Sequence, residues 1–240
     1  MSFSATSPFW LSDQASNVAT LYNGAGAPVA LVVSTPPVPG PTGQVFAGGL
    51  GFVISPGVTA NFIFSTLAGT IDAWNVGTSA ITEFTATDGA VYTCLAQAGS
   101  LLYAADTANG KIDIFDTSFQ KTPSSVRTAI CWQHISDPHL NSPWGVTLAP
   151  AGFGQFANDL LVGSFGDGMI NAFDPGTGAF IGTPSNANGS PIVNSGFGPS
   201  TSAVRDPVLI RIRCSSPLEL TMRSMACSSA PRVELASVRD

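Results

Sequence analysis

Apolar and polar residues alternate along several short segments of this chain, and each segment follows a turn rich in Gly, Asn and Asp. In one of these segments Ile71 and Ala73 alternate with Asp72 and Trp74. A period of two places neighbouring side chains on opposite faces of a sheet, so each segment predicts a β-strand. Together with the apolar run before its turn, each segment makes one copy of a hairpin. The recognisable copies are residues 9–23, 62–75, 101–116 and 160–174.

Glycine ends the turn in three of these copies, at Gly69, Gly110 and Gly168. A tight hairpin needs a positive φ there, which Gly adopts without strain. Gly69 and Gly110 are 41 residues apart, which fits one four-stranded propeller blade of roughly 40–50 residues. The next interval is 58 residues, which is too long for one blade and too short for two. No helical period of 3.6 persists, so the pattern predicts an all-β chain. We expect an incomplete β-propeller, with about four blades or part-blades of a six-bladed type.

The composition of the chain changes near residue 197. Residues 1–196 contain three basic residues and residues 197–240 contain six, and no aromatic residue follows Phe197. We therefore expect a propeller domain at 1–196 and an atypical, poorly ordered tail at 197–240. A shifted reading frame is one hypothesis for this tail, and a linker with its own role is another. Residues 117–139, where the glycine spacing is irregular, are expected to hold either a long loop or the scar of a deletion.

Charged residues are scarce in this sequence, and their scarcity excludes some classes of function. Charged residues make up 10% of the 240 residues, apolar residues 44%, and the formal net charge is −6. Such a chain is too apolar for disorder and has too few basic residues to bind nucleic acid. No apolar run is long enough for a membrane span, and the amino terminus shows no signal peptide. The four cysteines show no metal-type spacing, and no disulfide framework is expected.

Three carboxylates recur at equivalent places in the hairpins. Asp13 and Asp106 end the first strand of their copies, and Asp167 lies in the matching turn. Acidic groups around a propeller axis could hold Ca²⁺ or activate water. The interpretation that we favour is that each carboxylate caps its own turn. The sequence therefore predicts no catalytic residue, no metal ligand and no cofactor. If the carboxylates hold Ca²⁺ instead, Asp13, Asp106 and Asp167 are the candidate ligands.

Trp144 is the one candidate for a ligand-binding residue. It lies between Pro143 and Gly145, where it could form an exposed binding edge. The second interpretation, which we favour, is that Pro143 and Gly145 shape the entry to a strand while Trp144 packs between blades.

Six segments carry a resemblance to a known family, at residues 8–33, 41–46, 62–75, 101–116, 140–182 and 189–193. They resemble uncharacterised secreted β-propellers of bacteria, which have NHL-like repeats and are associated with PEP-CTERM sorting systems. The run 140–182 is the most specific of the six. The resemblance implies an extracellular or cell-surface protein. Members of the family are longer and begin with an export signal, so this chain resembles a truncated member that begins inside its first blade.

These observations lead to one expected function and two alternatives. We expect a non-catalytic binding or scaffold module, with a protein or polysaccharide ligand that the sequence does not identify. The first alternative is a propeller hydrolase of the Ca²⁺-dependent lactonase or phosphotriesterase type. The second is a truncated gene product without function. Carboxylates that converge in the central channel would favour the hydrolase, and an apolar channel would favour the scaffold.

Overall fold

Strands account for nearly all of the regular structure. The structure is a computed structural model, and it describes residues 1–4, 6–122 and 134–194. Over these residues it contains seventeen β-strands and one short 3-10 helix at Gly154–Phe156. The prediction of an all-β chain is therefore confirmed. No helix in the described part of the chain has the length and apolar character needed to cross a membrane.

The strands of the described residues form five sheets, of which the four larger, antiparallel ones are called blades 1 to 4 in chain order. Blade 1 contains β1 (Phe9–Asp13), β2 (Val18–Tyr22) and β3 (Pro28–Ser34). Blade 2 begins with β4 (Pro41–Phe46), is interrupted by a small hairpin of β5 (Val53–Ser55) and β6 (Val58–Thr59), and continues with β7 (Phe62–Thr66), β8 (Thr70–Trp74) and β9 (Ile81–Thr85). Blade 3 contains β10 (Tyr92–Ala98), β11 (Leu101–Asp106), β12 (Lys111–Phe115) and β13 (His134–Ile135). Blade 4 contains β14 (Pro143–Leu148), β15 (Leu160–Ser164), β16 (Ile170–Phe173) and β17 (Phe180–Gly182).

The repeated hairpins of the sequence share one register. The residues at equivalent positions on their second strands are Thr20, Asp72, Asp113 and Asn171, and they pair with Leu11, Phe64, Ala104 and Val162. The predicted turn glycines Gly69, Gly110 and Gly168 have φ of 74°, 63° and 71°, which confirms why glycine stands there. A single hairpin module is therefore repeated through the four blades.

The inner strands β4, β10 and β14 each carry a β-bulge near their start, at Thr42, Thr93 and Trp144. A bulge re-aims the extra residue, and in two blades this residue is a threonine that bonds to the next blade. Thr42 Oγ1 donates to the carbonyl oxygen of Tyr92 at 2.7 Å, and Thr93 Oγ1 donates to that of Trp144 at 2.9 Å. A threonine at the bulge thus joins the inner strand to that of the next blade, both from blade 2 to blade 3 and from blade 3 to blade 4.

Successive blades pack face to face through apolar side chains. Trp10 of blade 1 stacks on Phe62 of blade 2, with ring centroids 4.2 Å apart. Phe84 of blade 2 meets Phe115 of blade 3 edge-on at 4.8 Å, and Val146 of blade 4 joins the buried cluster of blade 3. Because each buried large apolar side chain contributes about 1.5–3 kcal/mol, these interfaces hold the blades together.

Blade 1 has three strands where the other blades have four. Its strands correspond to the second, third and fourth strands of blade 2. On the side of β1 where an inner strand would pair, Ser2 forms a β-bridge with Trp10. The two backbone hydrogen bonds of this bridge measure 3.1 and 2.9 Å.

The interval of 58 residues between the turn glycines Gly110 and Gly168 has two structural causes. The pair His134–Ile135 forms β13 and completes blade 3, so the end of the irregular region 117–139 belongs to a blade. The loop that contains Gly154–Phe156 adds further residues between β14 and β15. Residues 123–133 and the tail at 197–240 lie outside the described residues, so the domain boundaries and the frameshift hypothesis stay predictions.

The expectation about disulfides is wrong at Cys94. This residue is 3% exposed, as a small buried side chain should be, but it is disulfide-bonded. The other three cysteines lie outside the described residues. Spacing along the chain did not indicate the bond, because the partners of a disulfide are set by tertiary contacts.

Candidate functional site

A cavity of about 400 Å³ opens between the inner strands of blades 2, 3 and 4, and we call it the inner-strand cavity. Its volume lies within the range of small-molecule sites. The strands β4, β10 and β14 each contribute several lining residues, and residues 1–3 contribute others. Its polar and aromatic lining includes Thr42, Gln44, Phe46, Gln97 and Thr147.

The polar side chains of this cavity are neutral. Among the described residues that line it there is no Asp, no Glu and no His. Gln44 is engaged between blades, because Ser12 Oγ donates to its Oε1 at 3.0 Å and its Nε2 donates to the carbonyl of Trp10. The Thr147 hydroxyl and the Gln97 amide oxygen form no hydrogen bond with other described residues. These two groups are therefore available to a ligand.

A second polar cluster lies in blade 3, and we call it the Asp–Lys network. It contains Asp88, Asp106 and Asp113, whose carboxylate oxygens approach within 4.8 Å of one another. Lys111 pairs with Asp106 across the hairpin β11–β12, and Asp113 follows two positions later on the same face. Lys111 Nζ lies 2.7 Å from Asp88, 3.2 Å from Asp113 and 3.7 Å from Asp106. An ammonium group thus stands among the three carboxylates.

A second lysine completes this network. Lys121 Nζ lies 2.7 Å from Asp113 Oδ2 and 3.6 Å from Asp88 Oδ2. The hydroxyl of Tyr92 donates to the same Asp113 oxygen at 2.7 Å. Two ammonium groups therefore offset most of the charge of three carboxylates, of which Asp106 and Asp113 are buried. Such an arrangement stabilises the connection between blades 2 and 3, because unpaired buried charges would be costly.

The pKa shifts in this network follow from its geometry. The hydrogen bond from Lys111 lowers the pKa of Asp88 to about 2. Burial opposes the charge of Lys111, but its hydrogen bond to Asp88 and the charge of Asp113 raise its pKa above the usual value. Burial, with the charge of Asp113, also raises the pKa of Tyr92. All three shifts keep the groups in the protonation states that pair them at neutral pH.

The three carboxylates singled out in the sequence do not come together. Asp13 accepts bonds from the backbone N and the Oγ of Ser16, at 3.3 and 3.0 Å. Asp167 accepts one from the backbone N of Met169 at 2.9 Å. Of the three, only Asp106 belongs to a cluster of three carboxylates within the described ranges. These hydrogen bonds are those of turn-capping carboxylates.

Asp106 combines a turn contact with a network contact. Its Oδ1 accepts from the backbone N of Val91 at 3.1 Å and from that of Asn109 at 3.2 Å, and its Oδ2 accepts from the Asn109 amide at 2.8 Å. Its side chain is 0% exposed. The favoured turn interpretation describes most of its bonds, and the ion pair with Lys111 is an addition that the sequence did not indicate.

Trp144 is half-buried at the bulge of β14. Its ring lies 5.3 Å from that of Phe165, which is 38% exposed. Trp144 therefore belongs to an aromatic pair at the surface rather than to one of the fully buried clusters. Its role in ligand binding stays a prediction.

Sequence reasoning missed most of the Asp–Lys network. It singled out Asp106 alone and passed over Asp88, Asp113, Lys111 and Lys121. One signal was present, because two of the three basic residues in 1–196 flank the strand that carries a buried aspartate. The contact with Asp88 had no such signal, since that residue lies in the connection between two blades.

No protein-family model matches this chain. Two uncharacterised proteins of Acanthamoeba polyphaga mimivirus are similar to it. One is 25% identical over 162 residues, which cover 45% of this chain and 40% of that protein. The other is 26% identical over 221 residues, which cover 65% of this chain and 59% of that protein. The chain thus spans between 40% and 59% of the length of these relatives, which are viral. Nothing in these comparisons supports the bacterial, PEP-CTERM-associated part of the resemblance.

Solved structures are similar to the chain in fold. A streptogramin B lyase superposes with a TM-score of 0.54 at 13% identity, over 76% of this chain and 53% of that chain. Virginiamycin B lyase from Staphylococcus aureus superposes with a TM-score of 0.50 at 12% identity, over 72% of this chain and 50% of that chain. The WD40 β-propeller domain of Doa1 superposes with a TM-score of 0.50 at 12% identity, over 73% of this chain and 49% of that chain. At such identities the likeness shows the fold alone. The chain has the β-propeller fold, and it matches about half of each of these larger propellers.

Proposed function

We propose that this chain is a non-catalytic β-propeller module that binds a neutral carbohydrate chain in the inner-strand cavity. The observation that carries the proposal is the chemistry of the lining. Amide and hydroxyl groups lie there beside an aromatic ring, and none of the described lining side chains is a carboxylate or an imidazole. Neutral sugars are recognised by such groups, because hydroxyls exchange hydrogen bonds with amides and hydroxyls while the faces of sugar rings pack on aromatic side chains.

Two groups are assigned to ligand recognition within this proposal. The Thr147 hydroxyl can donate and accept, and the Gln97 amide oxygen can accept. Gln44 is assigned a structural part, since both ends of its amide already bond to blade 1. An extracellular or cell-surface location is part of the proposal, and the sequence resemblance to secreted propellers supports it.

The alternative hydrolase would need a convergent acidic or histidine group at the cavity. The three acids of the Asp–Lys network line no part of it, and Lys111 and Lys121 already pair with them. The described residues therefore offer the lactonase or phosphotriesterase chemistry no support.

The test uses the full chain, fluorescently labelled, on an array of neutral and acidic glycans. We expect binding to neutral glycans that is lost in Thr147→Arg, whose side chain fills the cavity. Thr78→Arg, at an exposed position, is the matched control and should bind as the natural chain does. Absence of binding across the array, or equal binding by Thr147→Arg, would overturn the proposal.

Parallel assays with a lactone and a phosphotriester, with and without CaCl₂, should show no turnover; turnover lost in Asp106→Asn would establish the hydrolase instead.

A further inference from the structure

Asp72 is a buried charge that neither the Asp–Lys network nor the inner-strand cavity uses. It lies in the middle of β8, between Phe64 on one neighbouring strand and Thr82 on the other. Its side chain is 0% exposed. Neither of its carboxylate oxygens has a hydrogen-bond partner in the described part of the chain. Because a buried polar group without a partner is rare in a folded protein, this carboxylate calls for an explanation.

The repeat shows what the same position holds in the other blades. Asp113 in blade 3 receives Tyr92 and pairs with two lysines. Asn171 in blade 4 donates to the His139 carbonyl at 2.8 Å and accepts from Thr183 at 2.8 Å. Asn171 is thus satisfied by hydrogen bonds, and Asp113 Oδ1, which has no hydrogen-bond partner among the described residues, still has the Lys111 ammonium 3.2 Å away. Asp72, at the equivalent position of blade 2, has no cationic partner among the described residues.

A second carboxylate lies beside Asp72. Ile71 pairs with Phe84 and Asp72 pairs with Thr82, so Glu83 is the extra residue of a β-bulge in β9. A bulge turns such a residue out of the regular alternation and towards its neighbours. The Oε1 atom of Glu83 is buried and also lacks a hydrogen-bond partner within the described ranges. Its charge acts on Asp72, since it contributes to raising the pKa of that residue after the larger effect of burial.

Hydroxyl oxygens complete the surroundings of this pair. Thr82 Oγ1 donates its hydrogen to the Pro36 carbonyl at 3.0 Å, which leaves a lone pair of its oxygen available. Thr70 Oγ1 shares a hydrogen bond of 2.8 Å with Thr66 Oγ1. The hydroxyls of both Thr82 and Thr70 lie near enough to Asp72 to favour its charged form in part. The groups that these contacts place near Asp72 are therefore oxygen atoms.

We propose that Asp72 and Glu83 bind one Ca²⁺ ion between blades 1 and 2, with hydroxyl oxygens of Thr82 and Thr70 as further ligands. A divalent cation neutralises two carboxylates for which residues 1–4, 6–122 and 134–194 provide no counter-ion. Oxygen atoms are the ligands that hard cations select, and Ca²⁺ accepts six to eight of them in flexible geometry. Mg²⁺ retains several waters and an octahedral shell, which suits a fully buried carboxylate less well. This ion does not depend on the proposed carbohydrate function, because the two sites share no residue.

The first measurement is direct. The full chain, stripped with a chelator and dialysed against CaCl₂, is analysed for bound metal and for its thermal midpoint. We expect one Ca²⁺ per chain and a rise of several degrees in the midpoint. Tb³⁺ in place of Ca²⁺ should give luminescence on excitation of tryptophan, because Trp74 follows Asp72 by two positions on the same face of β8. No bound metal and no shift in the midpoint would overturn the proposal.

Variants locate the ion. Asp72→Asn and Glu83→Gln should each abolish Ca²⁺ binding, and the neutral amides keep the size of the side chains so that the chain still folds. Asp13→Asn removes the same charge from an exposed turn and should bind Ca²⁺ as the natural chain does. Asp106→Asn tests whether the Asp–Lys network is the site instead. Binding that survives Asp72→Asn, or that is lost only in Asp106→Asn, would refute the assignment.

Discussion

Replacing Asp72 by Asn removes the charge of a carboxyl whose oxygens have no hydrogen-bond partner in the described part of the chain. Burial is the main reason why the pKa of Asp72 rises from 3.8 to about 6. A raised pKa in the folded state means that the protonated carboxyl stabilises the fold below about pH 4. This contribution is lost as the pH rises through 6, because the folded chain then releases the proton that it held.

The size of the effect follows from the shift. One pKa unit corresponds to 1.36 kcal/mol, so a shift of about two units corresponds to a full difference of about 3 kcal/mol. About 2 kcal/mol of this falls between pH 4 and pH 7.5. In the presence of a chelator, the natural chain should lose this amount of stability relative to Asp72→Asn as the pH rises over that interval. Carboxyls distant from Asp72 titrate alike in both proteins and cancel in the difference, whereas the neighbouring Glu83 is coupled to Asp72 and does not cancel fully.

The assay is urea unfolding followed by tryptophan fluorescence, at pH 4.0, 5.5 and 7.5, with and without CaCl₂. Unfolding slopes should be equal for the two proteins, so that midpoints report stability. With CaCl₂ at pH 7.5 the natural chain should recover the lost stability and Asp72→Asn should not respond. Two stability curves that stay parallel from pH 4 to pH 7.5 with chelator would refute the reasoning about burial of this charge.

Further outcomes concern the network and the backbone. Lys111→Met should destabilise the chain by about 3–5 kcal/mol in urea unfolding, because it leaves the buried Asp106 without a cationic partner among the described residues and Asp113 with Lys121 alone; a loss below 1 kcal/mol would show that Lys111 is not needed for pairing. Gly69→Ala should be clearly more destabilising than Gly77→Ala in the same assay. Both have positive φ, but a Cβ at Gly69 would lie 2.5 Å from the Ala90 carbonyl whereas one at Gly77 has nothing within 4 Å; equal losses would contradict this. Thr93→Val should cost about 1–3 kcal/mol and Thr93→Ser much less, because the hydroxyl joins blades 3 and 4; equal effects would mean that the hydrogen bond is not the cause.

Local signals in the sequence predicted the hairpins well. The alternation at Ile71–Trp74 and the glycines before the second strands correspond to β7–β8 and its equivalents, with the positive φ that was expected. These features depend only on neighbours along the chain, since side-chain alternation and turn geometry are set within a few residues. Repetition then led to blades, and the comparisons with solved propellers confirm that fold.

Candidate sites were harder to predict, and the misses have a common cause. Asp106 was recognised as part of a turn, but its partner Lys111 and the lysine at 121 were not, because the network joins residues from the connection between blades with two strands. Glu83 gave no signal either, since a β-bulge reverses the face that simple alternation assigns to a side chain. Thr147 and Gln97 become cavity residues only when three inner strands lie side by side.

The sequence by itself determined the strand-forming segments, their turns and the repetition of one hairpin module. Only the tertiary structure decided which buried aspartate meets lysines and tyrosine, as Asp113 does, and which is left beside a second carboxylate, as Asp72 is. The two residues have the same place in the repeat, but the groups packed around them differ. Lys111 from the same strand, with Tyr92 and Lys121 from other parts of the chain, surrounds Asp113, whereas Glu83 lies beside Asp72. The free energy of a buried charge depends on the groups that packing brings within a few ångströms.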